Sequence, residues 1–355
     1  MPKRVDPKKK GIILIFPTEA VYGGKKGDKK ELANIVNRII SRSKSEREHQ
    51  ITEEEHDAIA LNRFYDPKSI SGERISLIKT LLKEGYDVRV IRPPTFPGMS
   101  YHDFLEEVKN IKGLGFVDVN GIPAVEWLRN VFTHAKPDLI IEHLDRATES
   151  LGLDDVIQKE LRDKVKHISI ESVDGGSLIP GKDFILVSNN ISKEDEEKLK
   201  HHFKEVIKLP FGKREILPEY ELSKSVAPDR RFLVKTDQID LFVGVIPDKK
   251  LLVVDPDYYK EHKELLEDVA KKIKHEIVVV PEEEKRLYPA NFLLLPDGKV
   301  LLNGTKKLAE KLKKKGVKVI TLDKPLHHHI RLGGGVRCVT NILRGGKGAR
   351  KTSKR

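Results

Sequence analysis

The second half of the chain repeats one structural unit three times, and this repeat constrains the fold more than any local motif. Ser177 to Pro180 and Asp183 to Val187 flank the turn Pro180-Gly181-Lys182. Asp240 to Ile246 and Leu251 to Val254 flank Pro247-Asp248-Lys249-Lys250, and Phe292 to Leu295 and Val300 to Leu302 flank Pro296-Asp297-Gly298-Lys299. Proline presets φ in such turns, and Asp or Gly tolerates the remaining dihedrals, so each pair reads as a hairpin. A helix follows each one. Ser192 to Phe203 opens on a capping serine with acids in its first turn, Asp257 to Lys272 carries apolar residues at helical spacing, and Lys306 to Lys315 is capped by Thr305 and stopped by Gly316. Short apolar strands close the units at Val206 to Leu209, Glu276 to Val280 and Val317 to Leu322.

Strands on one side and helices on the other bury one core between two layers, which makes the class α+β. The first half shows the strands Gly11 to Phe16, Asp87 to Ile91, Gly115 to Val119, Leu139 to Glu142 and His167 to Ile170. Helices are expected over Gly72 to Gly85, Ser100 to Ile111, Ile122 to Thr133 and Thr148 to Lys166. The polar stretch Ser41 to His56 reads as an exposed helix or an insertion. The last strand, Val339 to Leu343, has no hairpin partner after it and must pair with an earlier strand or remain an open edge. Pairing with Gly11 to Phe16 would close a ring.

Residues 11–343 are therefore expected to form one domain, between a basic arm over 1–10 and a basic tail over 344–355. The formal charge of +12 in 355 residues is concentrated in those ends. Basic ends of this kind are either solvated or make weak contact with nucleic acid or the ribosome through phosphates, and neither end interleaves the aromatics that stack on bases. Charged residues make up 34 %, with much Lys and Glu, one cysteine and two methionines, a thermophile-like composition. A single cysteine excludes an internal disulfide and a cysteine-based zinc cluster. No apolar run is long enough to span a bilayer, and the N-terminal segment lacks the apolar core of a signal peptide, so a cytoplasmic location without membrane contact is expected.

That cysteine is delivered by Gly333-Gly334-Gly335-Val336-Arg337-Cys338. Glycines let the backbone approach a ligand closely, and the arginine beside the thiol favours the reactive thiolate. Three further segments stand out: Val173-Asp174-Gly175-Gly176-Ser177, Asp237-Gln238-Ile239-Asp240-Leu241-Phe242, and Tyr288 to Leu295 with Asn291-Phe292. Together the four resemble the pentein, or guanidino-group modifying, superfamily of arginine and agmatine deiminases, dimethylarginine dimethylaminohydrolase and amidinotransferases. The resemblance covers roughly Ser172 to Leu343. It implies an α/β-propeller of ββαβ units around a pseudo-fivefold axis, with the site at the centre.

The resemblance also implies the chemistry. Carboxylates hold the planar guanidinium, Cys338 attacks its carbon to give a covalent thiouronium, and a general acid protonates the departing amine. On this pattern Cys338, Asp240, Gln238 and His329 are the catalytic candidates, and Asp174, Arg337, Asn291, Gly334 and Gly335 line the substrate. No metal and no cofactor is implied. One departure matters: the family's catalytic histidine falls on Gln238, whose amide has no titrating proton. His327-His328-His329 sits shortly before the glycines and offers a replacement imidazole; an exposed loop and a metal site are its other readings.

Three functions remain open at this point. The first is a deiminase-like hydrolase or an amidinotransferase acting through Cys338. The second is a non-catalytic binder of a small cationic guanidino or amine ligand. The third is an RNA- or ribosome-associated protein; translation initiation factor six shares the pentein fold without catalysis, so that architecture does not demand an active site.

Overall fold

The computed structural model describes residues 11–15, 29–42, 48–52, 55, 67–94, 100–120, 131–143, 165–216, 231–331 and 334–343. The basic arm, the basic tail, Gly333 and the helix expected over Thr148 to Lys166, apart from its last two residues, lie outside them. Among the described residues no helix is long and apolar enough to cross a membrane.

Five sheets share one order of pairing. In each, a first strand runs antiparallel to a second, and the second runs parallel to a third. Four are β5 (Phe132–Lys136), β6 (Leu139–His143) and β7 (Lys166–Ile170); β8 (Leu178–Pro180), β9 (Phe184–Ser188) and β10 (Glu205–Leu209); β13 (Val243–Ile246), β14 (Leu251–Val254) and β15 (Glu276–Val279); and β16 (Leu293–Leu294), β17 (Val300–Leu302) and β18 (Val319–Thr321). The fifth is assembled from both halves of the chain. The last strand, β19 (Thr340–Leu343), runs antiparallel to β1 (Ile12–Ile15), with Ile12 opposite Leu343 and Ile15 opposite Thr340. β1 is parallel to β3 (Asp87–Arg92), and β4 (Gly115–Asp118) extends that sheet. The open strand of the sequence therefore pairs with the first one.

A parallel pair needs a crossover, usually a helix. In the first half, α1 (Lys29–Arg42) and α2 (Pro67–Lys83) lie between β1 and β3, and α3 (Ser100–Val108) joins β3 to β4. Helices α4 (Lys193–Lys200), α5 (Pro256–Glu261) with α6 (Lys263–Ile273), and α7 (Lys306–Lys314) supply the crossover in three later units.

The departures from the sequence reading have local causes. The helix expected from Asp257 to Lys272 is two helices that break at His262, which ends α5 with φ −124° and ψ 31°. Phe132 and Thr133, read as the end of a helix from Ile122, are instead buried in β5. Pairing with β6 holds them there, and the Thr133 hydroxyl lies 2.8 Å from His143 Nε2 across the hairpin. The polar stretch from Ser41 contains a strand, β2 (Glu48–Ile51), which pairs in parallel with β12 (Arg231–Thr236). β12 is also antiparallel to β11 (Gly212–Ile216), giving a sixth sheet outside the repeat. Asp240 lies on a 3-10 turn, Ile239–Leu241, that leads into β13, and Asn291 lies before β16.

α7 shows how the units lock together. Leu308 and Leu312, one turn apart, are fully buried. Thr305 occupies the cap position, but its hydroxyl makes no capping bond. The cap comes instead from Glu284, whose two carboxylate oxygens accept from the Lys307 and Leu308 backbone N–H groups at 2.8 Å each. A carboxylate there meets the orphan donors and the positive end of the helix dipole together. Glu284→Ala is expected to lower stability by about 1–2 kcal/mol and Thr305→Ala by less, in denaturant unfolding of the two variants.

Candidate functional site

Four units contribute to the site from the same place in the repeat, the connection that enters the first strand. Asp174 precedes β8, Gln238 and Asp240 precede β13, Asn291 precedes β16, and Cys338 precedes β19. Cys338 sits in a turn whose N–H donates to the Gly335 carbonyl at 3.1 Å, and the residue is 5 % exposed. The Asn291 amide lies against the thiol, with Nδ2 at 3.4 Å and Oδ1 at 3.6 Å from Sγ. Asn291 also accepts from the Arg337 backbone N–H at 3.1 Å and donates to the Asp240 carbonyl at 3.4 Å. One amide thereby ties together the thiol, the acid and the residue before the thiol. The approach requires glycine at position 335, where a Cβ would fall 2.6 Å from Asn291 Oδ1. Gly334 donates its backbone N–H to the His329 carbonyl at 3.0 Å.

Arg337 turns inward. Its Nε lies 3.5 Å from Asp240 Oδ2, and Nη2 donates to the Leu178 carbonyl at 2.9 Å. Asp240 is fully buried, where an uncompensated carboxylate is costly, and the guanidinium provides a counter-charge. Asp174 is engaged by its own neighbours. One oxygen accepts from the Ser177 N–H at 3.0 Å and the Ser177 hydroxyl at 3.1 Å, and the other accepts from Gln238 Nε2 at 3.0 Å. Burial, with the Asp237 charge acting the same way, pushes the Asp174 carboxyl up against those hydrogen bonds. Gln238 therefore donates an amide hydrogen bond to Asp174.

Behind the site lies a cavity of about 70 Å³. His134 of β5, Ile179 and Pro180 of β8, Gly244 and Val245 of β13, Leu293 and Leu294 of β16, and Thr340 to Ile342 of β19 line it, with Phe292 and Arg337. The first strand of every unit thus faces one hollow, and Arg337 stands at its junction with the thiol.

His329 is held by α2. The triplet begins α8 (His327–Arg331), a short helix packed on α2, where the sequence also offered an exposed loop. Arg74 Nε donates to His329 Nε2 at 2.9 Å, so Nδ1 carries the proton and donates to Glu73 Oε2 at 2.7 Å. Glu73 also accepts from the His328 N–H at 2.8 Å, and its Oε1 lies 2.9 Å from His328 Nδ1. Both ring nitrogens of His329 are engaged by side chains of α2. Among the described residues, no group of three or more His, Cys, Asp and Glu is arranged to hold a metal ion.

Two features had no sequence signal. Glu73 and Arg74 lie on an ordinary amphipathic helix. Tyr288, which opens the turn that presents Asn291, has φ 45°, in the left-handed region that bulky residues avoid, and its side chain is hydrogen-bonded to Arg214 of β11.

Burial pushes the Cys338 thiol up to about 12, and the Asp240 carboxylate acts in the same direction; Gly335, Asn291 and Arg337 only partly offset them. The resting group is a neutral thiol. Iodoacetamide at pH 8 is expected to alkylate native Cys338 on the order of a thousandfold more slowly than the same residue in the urea-unfolded chain, as followed by intact-mass spectrometry.

The histidine network has its own pH signature. Burial pushes His329 down to about 4, with Arg74 reinforcing it and the Glu73 hydrogen bond opposing. Burial would raise Glu73, but the His328 and His329 hydrogen bonds outweigh it and hold the carboxyl at about 2. An unfolded imidazole takes its proton near 6.5, whereas the folded one resists until about 4, so the unfolded state binds more protons across that window. Stability should fall by on the order of 3 kcal/mol as pH drops through it, with Glu73 adding to the loss from about 4.5 towards 2. His329→Gln should flatten the pH 6.5 to 4 limb in denaturant titrations.

Neither a family model nor a curated protein sequence matches the chain. Solved structures do. A structural-genomics target assigned as an agmatine deiminase superposes with a TM-score of 0.58 at 14 % identity, over 95 % of this chain and 94 % of its own. The amidinotransferase SxtG of Microseira wollei, from the saxitoxin biosynthetic pathway, gives 0.51 at 13 % identity over 98 % and 97 %. Agmatine deiminase of Enterococcus faecalis gives 0.51 at 10 % identity over 96 % and 94 %. Five sheets of one pairing order, the fifth joining the last strand to the first, give this chain the pentein fold of those solved structures.

Proposed function

We propose that the site binds a small cationic guanidino or amidine ligand, which enters by displacing Arg337 from Asp240, and that the resting protein does not turn that ligand over by the deiminase route. The reading rests on one observation: the protein keeps a guanidinium of its own on the buried Asp240, beside the only thiol. A surface that accepts the arginine head group offers the charge and planar donor pairing that a guanidino ligand needs. The five units are read as a propeller closed by β1 and β19 around the shared cavity, with the ligand at its Arg337 end.

Turnover needs a thiolate, a free carboxylate and a proton for the leaving amine. Here the thiol is neutral, Asp240 faces Arg337, and Gln238 has no proton to give. A second reading has support in the Asn291 contact to Sγ. A ligand cation held against that thiol would itself favour the thiolate; attack at the ligand carbon would form the C–S bond, break a C–N bond and release the amine carrying the proton given up by the thiol, leaving a thiouronium at Cys338 for hydrolysis by water or transfer to an amine. The solved agmatine deiminase and amidinotransferase of this fold make that chemistry the natural competitor.

Thermal-shift titration with arginine, agmatine and simple guanidines separates the readings. Binding is expected to raise the melting temperature, with a stabilisation of about 2.7 kcal/mol at a hundredfold excess over Kd. Arg337→Ala, which removes the internal competitor, should bind about tenfold tighter; Asp240→Asn should lose the shift. Release of ammonia, urea or citrulline that disappears in Cys338→Ala would replace the binding reading with the catalytic one. The absence of a shift with every cationic ligand, in the native chain and in Arg337→Ala alike, would reject both.

A further inference from the structure

The repeat sorts its connections between two ends of the molecule. Each second strand starts opposite the start of its third strand: Leu139 pairs Lys166, Phe184 pairs Glu205, Leu251 pairs Glu276, Val300 pairs Val319, and Ile12 pairs Asp87. The hairpin turn and the entry to the third strand of each unit therefore share one end. The site residues enter the first strands at the other end.

Contacts between units show that the hairpin ends form one surface. The Lys136 ammonium donates to the His202 carbonyl, linking the first unit to the second. Lys272 pairs with Glu205 at 2.6 Å, linking the third to the second. Lys315 pairs with Glu276, linking the fourth to the third. Asp297 accepts from the Tyr86 hydroxyl at 2.6 Å, and Lys299 reaches Glu84 at 3.2 Å, linking the fourth to the fifth.

This surface carries unneutralised lysines from three units. Lys182 lies in the β8–β9 turn, Lys204 before β10, Lys249 in the β13–β14 turn, Lys274 after α6, Lys314 at the end of α7, and Lys318 before β18. All six are exposed, and none makes an ion pair among the described residues. A Cβ at Gly316 would lie 3.4 Å from the Lys249 ammonium, so the end of α7 adjoins the β13–β14 turn. Asp138, Asp183 and Asp248 also face this end, while Glu205 and Glu276 are already taken by Lys272 and Lys315. In the fifth unit, β19 ends and β1 starts where the other units have their turns, with Leu343 opposite Ile12. The segments that carry Lys8, Lys9 and Lys10 and Arg344, Lys347 and Arg350 join the described chain at this same end.

We propose that this end, opposite the thiol, is a docking surface for the phosphodiester backbone of a nucleic acid. The lysines are spread over separate turns and helix ends and do not converge on a point, which suits an extended polyanion and not a single small anion. They are flexible point charges without the planar arginine forks that read base edges, so the contact is to the backbone. Leu265 is the one exposed large apolar side chain among the described residues, so the surface lacks the apolar face with which a helix enters a bilayer. Lysines at helix ends also favour the helix dipole, and a purely stabilising role is the competing explanation. The proposal is independent of the reading at Cys338.

The test is fluorescence anisotropy of the full-length protein with labelled single-stranded RNA, single-stranded DNA and duplex DNA across a series of salt concentrations. If about five phosphates are engaged, log K against log salt should fall with a slope of about −3.5 for single strands. Changing the six lysines together (Lys182→Glu, Lys204→Glu, Lys249→Glu, Lys274→Glu, Lys314→Glu and Lys318→Glu) should weaken binding by at least about tenfold and flatten the slope. The corresponding Lys→Arg chain should retain binding and controls for folding, together with melting temperatures of each variant. A full-length chain with the cations of residues 1–10 and 344–355 changed to glutamine should keep the lysine-dependent part. The proposal is overturned if the glutamate variant binds as the native chain does, if it loses stability without losing binding, or if the arm-and-tail variant loses binding entirely. Binding to phosphatidylserine vesicles but to none of the nucleic acids would overturn it as well.

Discussion

The pairing of β1 with β19 is the constraint on which the rest of the structure depends. Four units can form from contiguous chain, because each carries its own hairpin. The fifth exists only when the two ends of the described chain meet, and its sheet then buries Ile13, Ile15, Val88 and Val90 against Val336, Val339 and Ile342. That closure also fixes Cys338. The turn that holds the thiol hands directly on to β19, so the position of Sγ beside Asn291 is set by a strand whose partner lies more than three hundred residues earlier. Contacts of such sequence separation carry a large loop-closure cost and are rewarded only once the sheet forms. The site is therefore assembled by long-range strand pairing and not by a local motif.

Around that thiol the two acids face groups of the protein itself. A buried carboxylate needs a counter-charge or several donors. Asp240 faces Arg337, and Asp174 takes a hydroxyl, a backbone N–H and the Gln238 amide. Burial also shifts Asp174 and Cys338 towards their neutral forms. A ligand entering such a site must exchange contacts and cannot simply fill a vacancy, so its affinity is reduced by whatever the internal arrangement is worth. The presence of a cysteine and two acids is thus weaker support for catalysis than their states of charge and partnership.

The legible part of this fold was the part with strong turn chemistry. Pro-Asp and Pro-Gly turns placed the hairpins of the last three units, and the unpaired final strand forced a partner that the structure supplies in β1. The sequence could not show that Asp240 ends on a 3-10 turn, because its apolar neighbours read as strand. Nor could it show that Glu284 caps α7 in place of Thr305, because a cap donated from 23 residues away leaves no local signal. The histidine triplet is the plainest case. Its surroundings suggested an exposed loop, but the triplet begins a short helix whose His329 is buried against Glu73 and Arg74, and Arg74 lies 255 residues from His329. At the site, residue types were readable from the motifs, whereas the Arg337–Asp240 contact required the closed structure.

The same repeat explains why the two ends of the molecule differ in character. Every unit runs its strands in the same sense, so equivalent connections gather together. Those entering the first strands crowd around the shared hollow, where Gly335 has no space for a side chain and Asn291 contacts two other segments at once, the Asp240 turn and the turn that holds Cys338. Change there must be compensated by neighbours. The hairpin turns and helix ends face outward at the opposite end, where substitution costs little and charge can accumulate. Lys182, Lys249 and Lys318 occupy positions that packing does not determine. A repeat with this strand order therefore separates a tightly packed end from a permissive, charged one.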